Sequence, residues 1–105
     1  MNTIVKDWYI VSVFNDKELV GKVLWGICVE DMTYRFKTDD YISTSAIVKI
    51  SPHNQLIKTA SGSLYQVIGE GQKAQVQLKD FELLRQGFSP EQITQLNLAP
   101  SGVFH

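Results

Sequence analysis

Few groups in this chain could serve as nucleophile or base: one thiol, Cys28, and two imidazoles, His53 and His105. Nucleophilic catalysis needs a Cys or Ser whose proton a positioned base can take. Cys28 sits in an apolar run, where a cysteine behaves as a small core hydrophobe. His53 belongs to the turn Ser51-Pro52-His53-Asn54, where a solvated side chain is the plain expectation. Little of a triad is visible, so no hydrolase is indicated. A metal centre needs several ligands at helical or turn spacing, which two scattered histidines and one cysteine do not supply. The carboxylate pairs Glu30-Asp31 and Asp39-Asp40 lack the ligand period of a calcium loop and are expected to be solvated turn residues. Gly69-Glu70-Gly71-Gln72-Lys73 has the outline of a phosphate loop. The alternation that follows it predicts a strand, not the helix such a loop requires. No catalytic residue, metal or cofactor is expected.

Binding chemistry is better represented. Tyr34, Arg35 and Lys37 come from one hairpin, Tyr41, Thr44 and Ser45 from the next strand, and Ser61, Ser63 and Tyr65 from a third segment. If these strands are neighbours, rings, hydroxyls and cations converge. Rings beside an arginine can stack bases, and cations can meet phosphates. The same residue types are ordinary in strands and turns, and aromatic-arginine clusters also mark protein interfaces. A second candidate lies at Trp25 and Gly26. An interior glycine marks a bulge, a bend or a close approach, and the alternative is room for a small ligand beside the indole.

The elements that must position these residues are mostly strands. Residues 8–14 are β-branched and aromatic, and 20–30 predict a long second strand. In that strand Val23, Trp25, Ile27 and Val29 share one face and Leu24, Gly26 and Cys28 the other. Both faces are apolar near the middle, as for a central strand or one covered by a helix. Short strands are predicted at 34–36, 41–50, 56–59, 64–68 and 74–78, the last three as a meander of hairpins. The expected core is Trp8, Ile10, Val23, Trp25, Ile27, Val29, Phe36, Ile47, Val67, Ala74, Val76, Leu78, Phe81, Leu84 and Ile93.

The end of the chain is helical. Phe81, Leu84 and Phe88 make an i, i+3, i+7 stripe, with Asp80 as N-cap and Gly87 as stop. Ser89-Pro90-Glu91-Gln92 is a capping box with proline at the first helical position. Pro100 and Gly102 end the pattern, and Val103-Phe104-His105 form a tail. The whole predicts one α+β domain over 1–105: a small antiparallel, β-barrel-like or strongly curled sheet of about five to seven strands. It spans 8–79, one or two C-terminal helices span 80–98, and a tail spans 99–105.

At 105 residues, 44% of them hydrophobic, the chain can bury a core. A domain of this size still buries only about two-thirds of its unfolded surface, which makes a homodimer a natural supplement. A net charge of −1 with mixed signs lacks the overall basic footprint of a nucleic-acid binder. A single cysteine rules out an internal disulfide and suits a reducing cytoplasm. Neither a signal peptide nor a membrane span is expected.

The stretches Val23-Leu24-Trp25-Gly26-Ile27, Tyr34-Arg35-Phe36, Asp40-Tyr41-Ile42-Ser43-Thr44-Ser45, Ser63-Leu64-Tyr65 and Gly69-Glu70-Gly71 resemble small proteins carried by bacterial mobile elements, of the phage and integron gene-cassette kind. The resemblance covers 20–71 and extends to Arg85-Gln86-Gly87-Phe88-Ser89-Pro90. It implies an accessory role and carries over no catalytic residue. The expected function is a non-enzymatic interaction module with a protein partner and self-association. The alternatives are a single-stranded nucleic-acid-binding small barrel and a small-molecule binder with a pocket near Trp25.

Overall fold

The computed structural model describes residues 2–98, so the 99–105 tail, with His105, lies outside the described residues. Six strands are followed by two short helices: β1 (Thr3–Asn15), β2 (Glu18–Asp31), β3 (Tyr41–Ser51), β4 (Leu56–Thr59), β5 (Leu64–Val67), β6 (Gln72–Gln77), α1 (Phe81–Arg85) and α2 (Pro90–Leu98). The sheet runs in the order β2-β3-β4-β5-β1-β6, and β1 also pairs with β2, so the ladder curls back towards its start. This is the expected curled, barrel-like α+β domain.

The sheet is mixed where an all-antiparallel one was expected. Thr3–Val5 of β1 pair in parallel with Tyr65–Val67 of β5. Tyr9–Phe14 of the same strand pair in parallel with Gln72–Gln77 of β6. The segment Gly69-Glu70-Gly71 is therefore not a hairpin turn. It carries the chain from one half of β1 to the other, and of the three segments expected to form a meander only β4 and β5 make a hairpin. Trp8 organises this passage: its indole N–H donates to the Ile68 and Gly69 carbonyls at 3.1 and 3.3 Å. A Cβ at Gly71 would lie 2.3 Å from the Trp8 ring, so only glycine lets the backbone cross there.

A bulge divides β1. Lys6 faces Ile27 and Tyr9 faces Trp25, leaving Asp7 and Trp8 opposite Gly26 alone. Asp7 takes a φ of 49°, the left-handed region that Asp tolerates better than most residues. The extra residue reverses the alternation of side chains. Val5, Trp8 and Ile10 thus join the cluster with Leu24, Cys28, Ile42, Ile57, Tyr65 and Val67. Tyr9, Val11 and Val13 join Val23, Trp25, Val76, Leu84 and Ile93 beneath the helices. Both faces of β2 are covered, as its sequence predicts. Burying side chains such as Leu24, Ile42, Leu84 or Ile93 contributes roughly 1.5–3 kcal/mol each.

Several core expectations shift. Val5, Val11, Val13, Leu24, Ile42, Ile57 and Tyr65 are buried although the expected core omits them, and Cys28 is buried as its apolar run implies. Leu78 is 44% exposed, because β6 ends at Gln77 and a 3-10 turn over Leu78–Asp80 swings it out. The expected strand at 34–36 is an irregular segment. Asp31 takes the amide protons of Thr33, Arg35 and Phe36 that a strand would have paired.

The stop at Gly87 and the capping box at Ser89 form as their sequences dictate. At Gly87 (φ 108°) the chain makes a Schellman motif: Gly87 N–H donates to the Leu84 carbonyl and Phe88 N–H to that of Leu83, both at 3.1 Å. The capping box forms in both directions, Ser89 N–H to Gln92 Oε1 at 2.8 Å and Gln92 N–H to Ser89 Oγ at 3.1 Å. Asp80 does not cap α1; its carboxylate instead accepts from Asn97 Nδ2 at 2.9 Å, tying the two helices together.

Candidate functional site

Arg35, Ser63 and Tyr65 of the expected patch do converge. Arg35 Nε donates to Thr33 Oγ1 at 2.9 Å and Nη1 to Ser63 Oγ at 3.0 Å. Its guanidinium lies 5.2 Å from the Phe36 ring centre and 5.9 Å from that of Tyr65. The anchor of the arrangement is Asp31, which accepts five hydrogen bonds: from Thr3 Oγ1, from Thr33 N–H and Oγ1, and from the amides of Arg35 and Phe36. Partial burial would raise this carboxyl, but the bonds from Thr33, Phe36 and Thr3 outweigh it and hold Asp31 well below the usual carboxylate range. Asp31 is thus not the solvated turn residue its sequence context suggests.

This cluster is consumed internally. Tyr65 is 3% exposed and offers no free face on which a base could stack. Thr44 is also buried; its Oγ1 accepts the Leu24 amide proton at 3.0 Å and donates to the Ser45 carbonyl at 2.8 Å. That hydroxyl serves β2 where the β2–β3 register slips between Val23 and Trp25. Tyr34 is 94% exposed with a φ of 62°, and no hydrogen bond of its side chain ties it to the cluster. Lys37 is exposed in the same segment, and its amide donates to Asp40 Oδ2 at 2.9 Å.

Trp25 is packed in the core, and Gly26 answers a close approach of the backbone. A Cβ at Gly26 would stand 2.3 Å from Val5 Cγ1 and 3.2 Å from the Lys6 carbonyl, so the glycine answers the close approach of the β1 bulge. Trp25 is 6% exposed and meets Tyr9 edge-on at 5.9 Å. Burial, with Glu91 and Asp7 nearby, pushes the Tyr9 hydroxyl up. Cys28 is buried in the ring interior; burial first, then Asp31, Asp40, Asp39 and Glu30, push its thiol up, away from a reactive thiolate. Among the described residues no group of three or more His, Cys, Asp or Glu could hold a metal.

Tyr41 leads elsewhere. Its hydroxyl donates to the Arg85 carbonyl at 2.8 Å, pinning the end of α1 to the start of β3. A Cβ at Gly87 would meet the Tyr41 ring at 2.8 Å, so the glycine that ends α1 also admits this ring. Phe36, Asp40, Tyr41, Ser43 and Arg85 line a cleft of about 460 Å³ between β3 and the helix. Among the described residues two buried polar groups have no partner: Ser43 Oγ, in this lining, and Trp25 Nε1, outside it. Ser43 and Trp25 are directly opposite in the β2–β3 ladder. Each such orphan costs about 1–3 kcal/mol. Arg85 and Tyr41 are 44 residues apart, and no motif in the chain announces their meeting.

A second depression is apolar. Val13, Val20, Val23, Ala46, Leu78 and Phe81 line a groove of about 190 Å³ where the β1–β2 hairpin passes α1. On its rim Val20 is 58% exposed and Leu78 44%. Among the described residues, Glu18–Lys22 pair with β1 alone, so the outer edge of β2 is open there. Comparison of the chain with protein-family models, with curated proteins and with solved structures finds no match. No helix of the described residues is long and apolar enough to cross a membrane.

Proposed function

We propose that this chain is a non-enzymatic interaction module whose partner is a second copy of itself. The observation that carries this reading is the apolar groove at Val20 and Leu78, set beside a strand end that has no neighbour on its outer side among the described residues. A free edge with an apolar depression beside it suits an added strand, whose backbone pairs while side chains enter the groove. A second copy is the occupant that the charge favours: at −1 the chain carries almost no repulsion against itself. A cytoplasmic accessory role of the mobile-element kind accords with the motifs in 20–71 and with the lone cysteine.

Light scattering and sedimentation of the full chain over a wide concentration range test the proposal. A dimer is expected, and Val20→Asp or Leu78→Asp returns it to monomer without loss of fold. A wild-type chain that stays monomeric at high concentration removes self-association. A dimer indifferent to both substitutions moves the interface elsewhere.

A further inference from the structure

The polar cleft between β3 and α1 shares no residue with the apolar groove, and its chemistry is different. Its lining includes both signs of charge. Arg85 closes α1, and among the described residues its side chain has one partner, Glu82, at a loose 3.9 Å with both groups largely exposed. Its backbone carbonyl is held by Tyr41, so the residue is anchored while its guanidinium keeps most of its donors free. Asp40 uses one carboxylate oxygen for the Lys37 amide, and no hydrogen bond occupies the other. Arg85 and Asp40 line one cleft without forming an ion pair with each other, among the described residues.

The floor supplies the second observation. Ser43 belongs to the lining and its hydroxyl is buried without a partner. The indole N–H of Trp25, directly across the ladder, is likewise unpartnered in a side chain only 6% exposed. Buried polar groups in folded chains are nearly always satisfied, and a specific exception calls for an explanation such as a bound molecule. Ser43 lines a cleft of about 460 Å³, and Trp25, though its partner in the ladder, is not one of the lining residues. That volume lies in the range of small-molecule sites. The rings of Phe36 and Tyr41 complete the wall.

We propose that this cleft binds a small zwitterion of the α-amino-acid type. Its carboxylate takes donors from Arg85 and Ser43, its ammonium faces Asp40, and an apolar or aromatic side chain lies along Phe36 and Tyr41. A guanidinium with free donors recognises a carboxylate by paired, charge-assisted bonds. An anion alone would leave Asp40 as a repulsive neighbour, and a cation alone would leave Arg85 so; a ligand with both charges answers both.

Calorimetric titration of the full chain with L-phenylalanine tests the assignment, with N-acetyl-L-phenylalanine and L-phenylalaninamide as probes that each lack one charge. Wild-type chain is expected to bind L-phenylalanine and to bind each one-charge probe about tenfold more weakly or worse. Arg85→Gln should abolish the preference for the carboxylate, and Asp40→Asn the preference for the ammonium. The two indole N–H signals in a proton–nitrogen spectrum locate the event: that of Trp25 shifts, while that of Trp8, bonded to Ile68 and Gly69, stays and reports an intact fold. No heat and no shift at millimolar L-phenylalanine overturns the proposal. So does binding that survives both substitutions, or binding that needs Arg85 but is indifferent to the ammonium and to Asp40.

Discussion

Two polar regions flank the same irregular connection between β2 and β3, and they are bonded in opposite ways. Around Asp31 and Arg35 the side-chain donors and acceptors find one another, and the guanidinium lies against the rings of Phe36 and Tyr65. Around Asp40, Ser43 and Arg85 the charges stay apart and a hydroxyl is left over. The first region has the residue types of a binding site, and the second has the vacant valences of one. The contrast teaches that composition nominates a site but that hydrogen-bond satisfaction decides whether the groups remain available.

Substitutions can break this contrast. The largest effect is expected at Asp31→Ala, which strands the amides of Thr33, Arg35 and Phe36; urea unfolding should record a loss of about 3 kcal/mol. Thr44→Val comes next. It leaves the buried Leu24 amide without its acceptor and should cost about 1–2 kcal/mol. Its neighbour sets the sharpest test: Ser43→Ala removes a hydroxyl that bonds nothing in the free chain and should be neutral or stabilising by up to about 1 kcal/mol. Destabilisation by Ser43→Ala comparable to Thr44→Val would place Ser43 in the bonded framework and dissolve the distinction. Arg85→Gln and Asp40→Asn, on the open side, should stay within about 0.5 kcal/mol.

Acid sharpens the same comparison. The Asp31 carboxyl is lower in the folded chain than in the unfolded one. Its contribution is therefore present above the unfolded value of about 3.9 and is lost as pH falls through the folded value. Unfolding midpoints taken from neutral pH down into the acid range should fall less steeply for Asp31→Asn than for the wild-type chain. Identical slopes would mean that the hydrogen bonds at Asp31 do not favour its charged form.

Much of the architecture is legible in local patterns. The paired faces of β2, the β4–β5 hairpin, the glycine stop at Gly87 and the capping box at Ser89 each depend on residues a few positions apart. The patch was legible in part: Arg35, Ser63 and Tyr65 meet, but nothing local reveals that they satisfy one another. The cleft was not legible, because Tyr41 and Arg85 come together only when α1 is laid against β3. The parallel pairings were equally hidden. A run such as 72–77 alternates in the same way whether its partner runs with it or against it, and β1 meets its two parallel neighbours on either side of its bulge.

What the chain determines by itself is therefore its short-range content: which residues alternate, where helices start and stop, and which turns glycine and proline impose. Those features rest on sterics and hydrogen bonds that span one or two turns of backbone. The tertiary structure alone decides which face each half of β1 presents and where Arg35 spends its donors. It also decides which polar groups are left without partners beneath Arg85. Each of these is settled by a neighbour distant along the chain, and a hydrogen bond is satisfied or forfeited only when that neighbour arrives.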